Sequence, residues 1–153
     1  MEGNKVLEFE VDENVIMGKI ATNSYYRGER MKTGERENAA IMQSGDDNKD
    51  ILADELDIAE RSVMGLISRN LGLCTISKNG NKCTFNVKAV SNYPENLKTA
   101  VEGAISNYLY DKVLEGWLLV TMPSEVANLR DRFAVDAEQL VRFLLEREKP
   151  VRA

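Results

Sequence analysis

The chain has 153 residues, of which 43% are hydrophobic, 29% charged and 7% aromatic, and its formal net charge is −5. This length and apolar content exclude an intrinsically disordered chain and indicate a single domain, residues 1–153, that buries about 70% of its unfolded surface. No apolar run approaches the ~18 residues of a membrane span, and the first residues lack a secretory pattern, so we expect neither membrane insertion nor secretion.

The first third of the chain predicts one strand and one helix. Residues 5–11 alternate between apolar and polar types, which indicates a strand at the edge of a sheet. Residues 13–32 have an interrupted helical stripe. Residues 33–49 are rich in glycine and polar groups, and we expect them to form a mobile connection, with a short strand at residues 39–42.

A second helix follows this connection. Asp50 can cap its first amides, and Gly72 is placed where a helix often ends in a left-handed residue. Its apolar face is given by positions spaced three and four residues apart: Leu52, Leu56, Ala59, Val63, Leu66 and Asn70.

The sequence next predicts a β-hairpin. Asn79-Gly80 favours a type I′ two-residue turn, and this turn would place Ile76 opposite Cys83. The pattern agrees with this register, because it separates the two faces of the hairpin. One face would carry Cys74, Ile76, Cys83, Phe85, Val87 and Ala89, and the other Thr75, Ser77, Thr84, Asn86 and Lys88.

The predicted register also bears on the two cysteines. Cys74 would lie opposite Phe85 and diagonal to Cys83, at roughly 7–8 Å. That separation exceeds comfortable disulfide geometry. We favour two small buried thiols in a reducing compartment over a disulfide.

Two helices complete the chain. Pro94 opens a long helix whose apolar stripe is wide enough for contacts on two sides, and residues 121–124 interrupt it before a last helix. The short connection predicts an antiparallel pair. We expect Trp117 to pack in the core, with a partner anchor as the alternative. The stripes are Leu97, Val101, Ala104, Ile105, Tyr108, Leu109, Val113 and Trp117, then Val126, Leu129, Phe133, Ala137, Leu140 and Leu144.

The predicted order is therefore strand, helix, connection, helix, β-hairpin, helix, helix. This is an α+β fold that is mainly helical.

The residue types argue against catalysis. Histidine is absent, which excludes imidazole bases and most zinc and non-haem iron sites. Two cysteines cannot form a four-thiolate site, and no glycine-rich phosphate loop occurs. We therefore predict no catalytic residue, no metal site and no cofactor. Because acidic residues exceed basic ones by 25 to 20, we also expect no sequence-specific nucleic-acid binding.

Two local patterns have a functional and a structural interpretation. Asp46, Asn48, Asp50 and Asp57 match ligand positions of a calcium loop, but Ile51 replaces the required glycine, which favours a solvated acidic turn. Aromatic and cationic residues also cluster near the end of the first predicted helix. This second pattern fits a half-buried helix or a protein contact better than nucleic-acid binding, and it consists of Tyr25, Tyr26, Arg27, Arg30 and Lys32.

The back half of the chain, roughly residues 50–152, resembles small uncharacterised prophage structural-module proteins of gut bacteria. The resemblance is carried by Val113-Leu114-Glu115-Gly116-Trp117, by Thr121-Met122-Pro123 and by Arg147-Glu148-Lys149-Pro150. The order of the elements is also similar to that of head-to-tail connector (adaptor) proteins of tailed phages.

The resemblance implies a non-enzymatic virion protein of the phage neck, made in the host cytoplasm and assembled as a homo-oligomeric ring between portal and tail proteins. Residues 146–153 would be a docking tail, and the ring could form a passive DNA channel. Another tail-completion or assembly protein and a cytoplasmic regulatory or small-molecule-binding domain remain alternatives. The implied partner-interface residues are Tyr25, Tyr26, Arg30, Arg147, Lys149, Pro150 and Arg152.

Overall fold

The computed structural model describes residues 5–30 and 49–148, and it describes the side chains there except those of residues 24–30 and 49. The predicted order of elements is confirmed for this part of the chain, as is the mainly helical α+β class. The predicted connection and short strand before Lys49 lie outside the described residues. The elements are β1 Lys5–Asp12, α1 Glu13–Arg30, α2 Lys49–Asn70, β2 Cys74–Asn79, β3 Lys82–Ala89, α3 Lys98–Thr121 and α4 Val126–Leu145.

Helix α3 forms the centre of the structure. It contacts α2 on one side and α4 on another, and it also packs against α1 and β1. The wide apolar stripe is therefore confirmed, and Trp117 is a core residue with 1% exposure. None of the helices in the described ranges is both long and apolar enough to cross a membrane.

Helices α3 and α4 form the predicted antiparallel pair. The chain leaves α3 at Met122, whose amide donates to Leu118 O at 2.7 Å, and a 3₁₀ turn at Pro123–Glu125 reverses its direction. The rings of Tyr108 and Phe133 then meet edge to face, with centroids 5.2 Å apart.

The three strands form one antiparallel sheet in the order β1-β3-β2. The edge position of β1 is therefore confirmed. Side chains alternate as predicted, because Phe9, Phe85 and Val87 are buried against the helices while the opposite face of the sheet is more exposed.

The hairpin turn differs from the prediction by one residue. Asn79 pairs with Lys82, so the two turn residues are Gly80 and Asn81 and not Asn79 and Gly80. Gly80 has φ of 63°, and no non-glycine residue in the described ranges has positive φ. Positive φ at the first turn position alone is the pattern of a type II′ turn and not of type I′. The glycine at the first turn position, Gly80, therefore determines the position and the type of the turn.

The corrected register shifts the pairing by two residues. Ile76 pairs with Phe85 and not with Cys83, yet every side chain stays on its predicted face because the side-chain period is two. Cys74 now pairs with Val87, about 13 Å along β3 from Cys83 at ~3.3 Å per residue. Both thiols are free and buried, as the preferred interpretation requires.

The predicted left-handed helix end at Gly72 is wrong. Positive φ among the described glycines occurs at Gly80, and Gly72 does not have it. Glycine is needed for a different reason, since a Cβ at Gly72 would overlap the carbonyl oxygen of Lys88 on the neighbouring strand. The close approach of two backbones therefore explains this residue.

The described part of the predicted calcium pattern is helical. Asp50 and Asp57 both lie in α2, and Asp57 forms an ion pair with Arg61 at 2.8 Å. A continuous helix cannot wrap its side chains around one ion as a calcium loop does. Asp46 and Asn48 lie outside the described residues.

The turn gives a direct test of the hairpin. We expect Gly80→Val to reduce the free energy of unfolding by about 1–2 kcal/mol, because a β-branched residue resists positive φ. The turn also positions Asn81 O, which accepts a hydrogen bond from the amide of Glu13 at 2.8 Å. Urea unfolding measures the change, and Gly80→Asn is the milder control. Equal stability of Gly80→Val and the wild type would contradict the turn assignment.

Candidate functional site

An open cleft of about 850 Å³ lies between α1 and the α3–α4 pair. Polar side chains from all three helices line it. On α1, Gly18 contributes no side chain, and a Cβ there would meet nothing within 4 Å. The walls include Lys19, Asn23, Asn107, Tyr110, Arg132 and Asp136.

The deepest polar group of the cleft is the carboxylate of Asp111 on α3, with 1% exposure. Arg132 of α4 donates to Asp111 Oδ1 from Nε at 3.1 Å and from Nη2 at 2.9 Å. The guanidinium of Arg132 also lies over the ring of Tyr110, 5.5 Å from its centroid. Asp111 Oδ2 is buried and accepts no hydrogen bond within the described structure.

The protonation of Asp111 is set by its surroundings. Burial and the neighbouring Asp136 carboxyl raise the pKa of Asp111 to about 7, although the charge of Arg132 opposes the shift. At neutral pH this carboxyl can therefore hold or release a proton. Together with the surrounding amides, it can bind a polar ligand that presents hydrogen-bond donors.

A second group of charges is buried where α1, α2 and the hairpin meet. The ammonium of Lys78 lies 2.7 Å from Glu60 Oε1 and 3.0 Å from Glu13 Oε2. Glu60 is fully buried, and burial together with the Glu13 carboxyl raises its pKa to about 7. Burial lowers the pKa of Lys78, but hydrogen bonds to both glutamates more than offset this and raise it.

Cys83 of β3 borders the same buried group. Burial and the neighbouring Glu60 charge raise the pKa of its thiol above the ordinary value, so the thiol is protonated at neutral pH. One ligand atom each from Glu13, Glu60 and Cys83 lie within 4.8 Å of one another. This is the group of described residues that could hold a metal ion.

The chain after α4 is held against the body by Arg147. Its Nη1 donates to Leu144 O at 2.8 Å and to Glu146 O at 2.7 Å, and its Nη2 donates to Asn70 O at 2.9 Å. The guanidinium also lies over the ring of Tyr93, 5.8 Å from the centroid. We call Arg147 with these contacts the C-terminal clamp.

Two further hydrogen bonds reinforce the C-terminal clamp. The amide of Glu148 donates to Asn92 O at 2.7 Å, and the hydroxyl of Tyr93 donates to Phe143 O at 2.7 Å. The path of the chain is therefore fixed up to residue 148.

The structure describes only some of the seven predicted interface residues. Arg147 is fully described, and its guanidinium contacts the chain's own carbonyls and Tyr93. Three others lie on α1 where side chains are not described: Tyr25, Tyr26 and Arg30. The remaining three lie outside the described residues: Lys149, Pro150 and Arg152.

Neither of the two buried acids, Asp111 and Glu60, is predicted as a site residue from the sequence. Asp111 falls within the apolar stripe of α3, three residues after Tyr108, and Glu60 follows Leu56 by four residues on the buried face of α2. A charged residue inside a three-four apolar pattern is the signal that could have identified both. Their partners on other helices and strands could not be read from spacing.

Comparisons with protein families, with curated proteins and with solved structures gave no match to this chain.

The buried acids predict how stability depends on pH. The raised pKa of Asp111 means that the folded state binds this proton more tightly than the unfolded state. The contribution of this proton to the free energy of unfolding is therefore present in acid and is lost as pH rises towards about 7. We expect the free energy of unfolding to fall between pH 5 and pH 8, and to fall less in Asp111→Asn.

Urea unfolding at the two pH values measures this difference. Glu60 contributes a loss of the same sign, since its pKa is also raised, so some pH dependence should remain in Asp111→Asn. Asp131→Asn, at an exposed position on α4, should behave like the wild type. If the free energy of unfolding of Asp111→Asn fell between the two pH values as much as that of the wild type, the raised pKa of Asp111 would be contradicted.

Proposed function

We propose that this chain is a non-enzymatic structural protein of a phage neck, a head-to-tail connector (adaptor) subunit that forms a homo-oligomeric ring between portal and tail. It would be made in the host cytoplasm and assembled into the virion. The observation that carries the proposal is the C-terminal clamp at Arg147, together with the resemblance in the back half of the chain.

Of the predicted docking tail, residues 146–153, we propose that residues 149–153 reach the partner, because the C-terminal clamp holds the first part of the tail on the body. Arg147 and Glu148 are hydrogen-bonded to the carbonyls of Asn70 and Asn92 on the body, and residues 149–153 follow at once. Once the body of the subunit contacts the partner, a tail that starts from a rigid point has a high effective concentration near its binding site. Less conformational freedom is then lost on docking.

The helical surface is better suited to subunit contacts than the outer edge of β1. Glu102 of α3 accepts a hydrogen bond from the amide of Glu10 at 2.7 Å, which covers part of the outer edge of β1. Such covering disfavours pairing with another strand. On α4, by contrast, four residues are buried and Val135 is 62% exposed, so most of this helix is open to a neighbour.

A second function is favoured by one observation, the cleft around Asp111. Its volume lies in the range of small-molecule sites, and Asp111 Oδ2 is buried without a hydrogen bond inside it. These properties suit a small-molecule-binding regulatory domain.

The docking tail is tested by truncation after Glu148. This variant retains Arg147 and its contacts, so we expect an unchanged helical circular dichroism spectrum and unchanged stability. Co-purification with the portal protein of the same phage should fall at least about tenfold, because the docking segment is gone. If the truncated chain binds portal as well as the full chain, residues 149–153 are not the docking tail. Co-purification with a tail protein instead would favour the tail-completion alternative.

Native mass spectrometry separates the two functions. For a connector we expect ring-sized oligomers, alone or with portal, because the helical faces associate. For a small-molecule-binding domain we expect a monomer that carries added ligand mass. Gly18→Trp should remove that mass by filling the cleft, since Gly18 faces open space there. A monomer that does not bind the portal protein would contradict the connector proposal.

A further inference from the structure

We propose that Glu13, Glu60 and Cys83 bind a divalent metal ion of the zinc and cobalt class. The site joins the start of α1, the middle of α2 and strand β3. The proposal goes beyond the neck function and does not depend on it.

The geometry approaches that of a metal site. The three ligand atoms lie within 4.8 Å of one another. Bonds of about 2.0–2.3 Å place tetrahedral zinc ligands roughly 3.5 Å apart. An inward shift of about 1 Å, within reach of two glutamate side chains, would therefore complete the site.

The burial of Glu60 is an independent sign of a missing partner. Its side chain is fully buried, and its Oε2 accepts no hydrogen bond within the described structure. The charge is opposed by the ammonium of Lys78 at 2.7 Å. A buried carboxylate with so few partners is costly, and a metal ion would supply what it lacks.

Lys78 marks the route by which an ion can reach the site. Its side chain is 43% exposed, so the ammonium can turn into water without disturbing the core. The ion would then occupy the position between Glu13 and Glu60 that the ammonium holds. Lys78 competes with the metal but does not block it.

The donor set favours one class of metal. A thiolate binds zinc or cobalt far better than magnesium or calcium, which prefer oxygen ligands alone. Two carboxylates and one thiolate leave a fourth position for water. Three anionic ligands around a doubly charged ion leave one negative charge.

Protons balance in the binding step. The metal forms a bond to the Cys83 sulfur as the thiol proton leaves to solvent. Glu13 and Glu60 bind as carboxylates, and Lys78 keeps its proton. No electron is transferred, and binding should strengthen as pH rises.

The sequence predicts no metal site because it contains no histidine and no metal ligands at local spacing. Glu13, Glu60 and Cys83 are far apart in the chain, and only the packing of α1 and α2 on the sheet brings them together.

The test uses Co²⁺ added to the reduced full-length chain. We expect one equivalent to produce a thiolate-to-cobalt charge-transfer band, which Zn²⁺ then removes by displacement. Cys83→Ser should lose the band, whereas Cys74→Ser, which removes the other buried thiol, should keep it. Glu60→Gln should weaken binding by at least about tenfold, the lower end of the loss for a supporting group.

Lys78→Gln provides a readout that a purely structural cluster would not give. It retains all three ligands and removes the competing ammonium, so Co²⁺ should bind more tightly than to the wild type. Circular dichroism confirms that each variant is folded. Absence of the band in the wild type, or an equal band in Cys83→Ser, would overturn the proposal.

Discussion

The structure depends on the burial of α3. Its apolar residues face α2, α4 and the sheet at once, and Ile105, Leu109 and Trp117 are almost completely buried. A helix with apolar residues over so much of its surface cannot be stable alone in water, and its neighbours are held in place by covering it. The cleft and the C-terminal clamp are both positioned by elements that pack around this helix.

The buried acids lie on the inward faces of the helices that form this core. Asp111 of α3 is neutralised by Arg132, and Glu60 of α2 by Lys78. In each case the cation comes from a different element and is partly exposed, so it can move while the acid cannot. Buried acids with raised pKa values are costly to the fold, and such groups are concentrated at functional sites.

The sequence predicted the elements well because periodicity reports local burial. Apolar residues such as Val101 and Leu129 repeat at helical spacing, and apolar and polar residues alternate along the hairpin. The buried faces of these helices and strands therefore follow from backbone geometry alone. The turn was displaced because Asn79-Gly80 and Gly80-Asn81 are both favourable turn pairs. Face alternation cannot distinguish registers that differ by two residues.

The sites were not predictable in the same way. The contacts of Asp111 with Arg132, and of Glu60 with Lys78, join elements whose mutual placement depends on the whole core. Arg147 was identified from the resemblance as an interface residue, but its hydrogen bond to Asn70 and its contact with Tyr93 are tertiary. A local sequence pattern identifies the buried face of one helix or strand, whereas a functional site is formed by side chains from several elements that pack together.

Amide hydrogen exchange on the full chain tests whether the C-terminal clamp is fixed to the core around α3. We expect the amides between Val101 and Leu118 of α3 to exchange only through global unfolding. The amide of Glu148 should be protected as well, because it donates to Asn92 O in the structure. If the amide of Glu148 exchanged at the rate of an unstructured chain while α3 stayed protected, the C-terminal clamp would not hold the chain on the body, and the proposed docking tail would have no fixed origin.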